Sequence, residues 1–232
     1  MFLNLRKIQV LMKYSFLTIL CFFLMQLHAQ LPEGFVYVKD VIPDLDVDLR
    51  YHGKNNFVGT SIDGYETNRL ILTEHAAKAL FLVQQYLQDR NLCLLVYDGY
   101  RPQRAVNHFI RWAKKLNDTL TKPSFYPDVA KANLFKFEYI ASRSGHSKGS
   151  TVDLTIIDGN TGELLDMGST YDFFGEESWG NYKGITTQQK ANRVLLQHAM
   201  LKHGFRNYPK EWWHFTLIGE PFPYTFFDFP IK

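Results

Sequence analysis

The sequence predicts an α+β domain, an antiparallel sheet with flanking helices, on three observations. Apolar residues recur at helical spacing over 73–90, 103–117 and 186–204. Apolar or alternating runs of strand length stand at 92–98, 151–157 and 211–217. Their order along the chain points away from the regular strand–helix alternation of a doubly wound parallel sheet. No internal repeat, charge block or Ser/Pro-rich linker interrupts residues 30–232, so that span reads as one domain with one sizeable core.

In chain order, "FVYVKDV" and "DVDLRY" alternate like short strands. "TEHAAKALFLVQQYLQDR" follows, with Thr73 placed to cap a helix. "LCLLVYD" is a continuous apolar run and predicts a buried strand ending in Asp98. Gly99 allows a tight turn, and Pro102 sits where a helix can begin. The helix is marked by the stripe Ala105, Phe109, Trp112. Residues 119–140 are mixed and predict an excursion or lid over the core. "TVDLTII" is the next strand, and "TTQQKANRVLLQHAMLKHG" the next helix, closed by Gly204 in a C-cap position. "EWWHFTL" reads as a last strand.

Composition, at 46% hydrophobic, 21% charged and 16% aromatic, excludes disorder and low complexity. The N-terminus carries Arg6, Lys7 and Lys13 without an acid, then the apolar run Tyr14–Leu27, then Ala29. That is the order of a secretory signal, and the run is short for a bilayer span. A retained anchor is the alternative; a lipoprotein signal is disfavoured because "TIL" before Cys21 lacks small residues. The expectation is export, with residues 1–29 removed as a signal and 30–232 as the mature domain. Loss of those three bases leaves 23 basic against 23 acidic residues. A formally neutral chain has no electrostatic footprint for phosphate backbones, so nucleic acid is not an expected partner. Nor is stable membrane association expected once the signal is gone. Cys93 remains alone, so no disulfide can form within the mature chain, and it reads as a strand residue rather than a nucleophile.

Chemistry concentrates in three stretches. "SGHSKGSTVDLT" places His146 seven residues before Asp153, and "KEWWHF" places Glu211 three before His214. Two imidazoles and a carboxylate form the N/O ligand set of a catalytic zinc with one open position, and Glu211 would serve as base rather than ligand. Each element has an ordinary alternative: Asp153 capping a turn, His214 satisfied in the core, Glu211 solvated. Against these, a carboxylate flanked by Val152, Leu154, Ile156 and Ile157 is costly unless paired or metal-bound. A strand-like "EWWHF" would also desolvate Glu211 and raise its pKa. The third stretch, "VYDGYRPQRAV", sets Arg101 on a rigid corner, where it either stabilises an oxyanion or merely pairs with Asp98.

Together with "NNFVG", "DGYETNR", "TGELLDMGSTYDFF" and the terminal "YTFFDFP", these stretches resemble, in order, the zinc D-alanyl-D-alanine dipeptidases of peptidase family M15. The resemblance runs from about residue 35 to the end. It implies a compact α+β fold shared with zinc D-Ala-D-Ala carboxypeptidases and Hedgehog domains. It implies one zinc ion per chain on His146, Asp153 and His214, with Glu211 as general base and Arg101 steadying the tetrahedral intermediate. Tyr51, Ser144 and Asp172 match positions lining the substrate cavity, with Asp172 facing the free ammonium. Gly145 departs from the serine of the vancomycin-resistance enzymes, which bears on loop stiffness more than on chemistry. The implied activity is hydrolysis of free D-Ala-D-Ala in peptidoglycan turnover, here in the periplasm because of the signal. The alternatives are a carboxypeptidase acting on wall stem peptides and a zinc-stabilised wall-binding module.

Overall fold

The computed structural model describes residues 31–232; the expected signal lies outside the described residues. Its centre is a five-stranded sheet of order β2-β4-β5-β7-β6, formed by Asp46–Val47 (β2), Leu92–Asp98 (β4), Thr151–Asp158 (β5), His214–Leu217 (β7) and Phe205–Asn207 (β6). The pairs β4–β5, β5–β7 and β6–β7 are antiparallel, as expected, while the edge pair β2–β4 is parallel. Phe35–Tyr37 (β1) and Ile71–Thr73 (β3) form a separate antiparallel pair.

Helix α1 (Glu74–Gln88) starts where Thr73 accepts a hydrogen bond from the Ala76 amide, and it buries Leu80, Val83 and Leu87. Helix α2 (Gln103–Lys114) buries the expected stripe of Ala105, Phe109 and Trp112. A single helical turn, α3 (Lys122–Phe125), lies within the excursion. Helix α4 (Thr187–Lys202) opens on a capping box between Thr186 and Gln189 and ends before Gly204, whose φ is +88°. The main core lies between α1, α4 and one face of the sheet, where Leu94, Val96, Val152, Leu154, Ile156 and Phe215 are buried.

Three local departures have physical causes. The run 35–41 stops being strand at Tyr37 because Val38 turns its amide to the Leu70 carbonyl (2.9 Å) and opens a 3-10 turn. Strands β3 and β6 are too short, at three residues each, for a period to register. The last strand begins at His214, not at Glu211. Residues 208–213 turn instead, with Glu211 N–H donating to Tyr208 O (3.1 Å) and Trp212 N–H to Ser178 O (2.8 Å).

Candidate active site

Sheet register builds the site. Asp153 is opposite His214 across β5–β7 and opposite Asp98 across β4–β5. The second pairing depends on a bulge between Val96 and Asp98, which puts Tyr97 out of line and shifts Asp98 into the row. Directly opposite residues share a face, so Asp98, Asp153 and His214 stand side by side. His146 arrives from the 3-10 turn Gly145–Lys148, which Ser144 caps by accepting from the His146 amide (3.3 Å).

Each donor is oriented. The His146 Nδ1 lies 2.7 Å from Gly99 O, which can only accept, so the proton is on Nδ1 and the lone pair on Nε2. Gly99 packs against the β3 backbone only without a side chain, since a Cβ would lie 2.8 Å from Ile71 O. His214 presents Nδ1, 3.3 Å from His146 Nε2 and 3.0 Å from Asp153 Oδ1. The second oxygen of Asp153 is occupied: Tyr171 donates to Oδ2 (3.0 Å) and Arg101 Nη2 lies 3.4 Å away. Oδ1 is buried without a hydrogen bond, although both imidazoles stand within 3.2 Å of it. With an ion present, the facing nitrogens of His146 and His214 would turn their lone pairs to the point that this oxygen faces. One atom from each of His146, Asp153 and His214 lies within 4.8 Å of the others, and this orphaned oxygen fits a divalent ion.

Charge follows the same geometry. Burial alone would raise the Asp153 carboxyl, but His146 and His214 outweigh it and hold it well below the usual carboxylate range. Burial would lower His214; Asp153 and Glu211 prevail and push its imidazole up to about 10. Arg101 pairs with Asp98 (2.9 Å) as well as approaching Asp153. Asp98 also accepts from Tyr65 OH (2.7 Å).

All eight residues singled out in the sequence line one cavity of about 240 Å³: Tyr51, Arg101, Ser144, His146, Asp153, Asp172, Glu211 and His214. Asp172 is buried, holds φ +59°, and accepts from Tyr51 OH at 2.8 Å. Burial, then the nearby Asp153 charge, raises the Asp172 carboxyl well above its ordinary range. The Glu211 Oε2 is 3.3 Å from His214 Nδ1. The expected desolvation of Glu211 is corrected: its side chain is 33% exposed, because it sits in the turn rather than in a strand. Sequence reasoning missed Tyr171, which links Asp153 to Tyr51, and Asn207, whose amide donates to the carbonyls of Glu211 (3.0 Å) and His214 (2.9 Å). Tyr171 had a signal in standing beside Asp172; Asn207 had none.

A three-donor metal centre with a free carboxylate beside it, at one end of an α+β sheet, defines a metal-dependent hydrolase. Residues 32–232 match the model of the peptidase M15 family described as D-Ala-D-Ala dipeptidase. The chain belongs to this family of zinc metallopeptidases. It is similar to the D-alanyl-D-alanine dipeptidase of Enterococcus faecalis, 43% identical over 199 residues covering 86% of this chain and 98% of that one. The namesake from Enterococcus faecium is 40% identical over 86% and 98% of the two chains. That of Streptomyces coelicolor is 42% identical over 85% and 98%.

Proposed function

We propose that this protein hydrolyses free D-alanyl-D-alanine to two D-alanines, with one zinc ion per chain, after export to the periplasm. The observation that carries the reading is the enclosure of the His146–Asp153–His214 cluster, Glu211, Arg101 and a buried Asp172 in one small cavity. His146, Asp153 and His214 would hold the zinc ion, which when bound would polarise a carbonyl and bring a water pKa down towards about 7. Glu211 accepts the proton from water and returns it to the leaving amine, its partial exposure leaving it free to move between the two. Arg101, fixed by Asp98, offers its guanidinium to the developing oxyanion. Asp172 meets the substrate ammonium, with Tyr51 holding its carboxyl in place, and Ser144 lines the same cavity.

Selectivity follows from Asp172. An ammonium restores its charge, whereas an acylated amine leaves a buried carboxyl with no cation. The carboxypeptidase reading has one observation of its own: a groove of about 600 Å³ shares Glu138, Tyr139, Phe174, Tyr208 and Glu211 with the cavity and could carry a longer chain. Zinc-loaded protein given free D-Ala-D-Ala and an acylated pentapeptide ending in D-Ala-D-Ala separates the two. We expect turnover of the dipeptide alone; preference for the pentapeptide would overturn the proposal. Glu211→Ala is expected to retain zinc while kcat falls at least about 10²-fold. Loss of the metal in that variant would make Glu211 a ligand.

A further inference from the structure

The cavity is lined by acids as well as cations. Asp153, Asp172, Glu211 and Glu138 line it, against two arginines, Arg101 and Arg143. Arg101 is committed to Asp98 and Asp153, and Glu138 to Lys210. A free dipeptide is a zwitterion at neutral pH, so its terminal carboxylate needs a cation that no protein carboxylate already holds. Arg143 is the arginine of the cavity left uncommitted: it is exposed, and among the described residues it has no carboxylate partner.

Arg143 is nevertheless held in place. Its guanidinium lies 4.9 Å from the centre of the Phe226 ring. That ring belongs to a tail pinned at the next residue, where Phe227 N–H donates to Ser147 O (2.8 Å) and Phe227 O accepts from Gln103 N–H (3.0 Å). On the other side, the Gln103 side chain donates to Ser142 O (3.0 Å), fixing the backbone just before Arg143. A guanidinium stacked on an aromatic face keeps its N–H edge free for the two oxygens of a carboxylate. Ser144, the next residue, lines the same wall.

We propose that Arg143 captures the terminal carboxylate of the substrate and so sets the requirement for a free C-terminus. This rests on the dipeptidase reading and adds a residue to it. The test compares D-Ala-D-Ala with its C-terminal amide on the zinc-loaded protein, its Arg143→Gln and its Arg143→Lys variants. Binding is measured by calorimetry and turnover separately. For the carboxylate form, R143Q should raise Kd and KM roughly tenfold, the scale of a lost charge-assisted contact, with kcat little changed. R143K should recover part of the loss, and the amide should lose less than about twofold. Equal losses for both forms, or none for the carboxylate, overturn the assignment. Absence of turnover in the parent would instead sink the dipeptidase reading, while the binding comparison still decides Arg143.

Discussion

At the scale of single residues, Asp153 shows how one side chain can serve two networks without compromise. Its two oxygens are divided, Oδ2 accepting from Tyr171 and facing Arg101, Oδ1 left to the imidazoles. The flanking Val152, Leu154 and Ile156 point to the opposite face, as strand alternation requires. Asp153 is therefore buried by Tyr171, Arg101 and the histidines rather than by its neighbours in the chain, and its desolvation cost is real but has a different origin from the one its apolar flanks suggest. Arg101 is likewise not a choice between pairing and catalysis: the pair with Asp98 is what aims it. Arg101→Ala should therefore show two effects. The kcat should fall by roughly 10²–10³, the usual loss for one oxyanion donor. Folding stability should fall by about 3–5 kcal/mol, because buried Asp98 loses its cation. Denaturant midpoints, zinc content and turnover per folded molecule separate them. An unchanged turnover per folded molecule would leave Arg101 a purely structural residue.

At the scale of elements, the turn 208–213 between β6 and β7 carries the proposed base, and the Asn207 amide clamps its two ends. Loss of that clamp should misplace Glu211 relative to His214 without disturbing β5 or the 3-10 turn. Asn207→Ala and Asn207→Asp should both lose roughly 10- to 100-fold in activity or zinc affinity, as removal of residues behind metal ligands commonly does. Aspartate matches asparagine in size but, ionised, cannot donate to two carbonyls, so its failure alongside alanine would identify the hydrogen bonds as the cause. If aspartate were fully active, packing alone would explain the position. The same turn shows what a sequence conceals. Strands β4 and β5 were legible as apolar runs of strand length, and the three long helices because each repeats its period over several turns. Strands β3 and β6 fit one repeat at most. In "EWWHFTL" the paired Trp212 and Trp213 break the alternation, which runs only from Trp213 onward, and backbone bonds to Tyr208 and Ser178 hold Glu211 and Trp212 out of the sheet. The ligands were legible because their side-chain chemistry is rare in such surroundings; an asparagine that bonds only to backbone carries no such mark.

For the whole molecule, the question is how much of the fold depends on the metal. In small zinc domains the ion joins segments that nothing else holds, and its removal unfolds them. Here Asp153 and His214 already pair across adjacent strands, and the His146 turn is bonded to Gly99 and Tyr171 to Asp153 regardless. The metal-free centre also has an internal substitute: with its imidazole pushed up to about 10, His214 is a cation facing Asp153 and Glu211 at neutral pH. Chelation should therefore abolish turnover and lower Tm, yet leave far-UV circular dichroism unchanged at 25 °C, with zinc restoring activity. The sign of the pH dependence follows from the same proton. A ligand protonated below about 10 must release that proton for a metal to bind, so zinc affinity should weaken as pH falls, by about one decade per pH unit while one proton is displaced. Calorimetric titration with zinc in buffers of different ionisation enthalpy counts that proton. A chain that unfolds on chelation would show that the ion, not the sheet register, assembles this centre, and equal zinc affinity at pH 6 and pH 8 would show that no proton is displaced from His214.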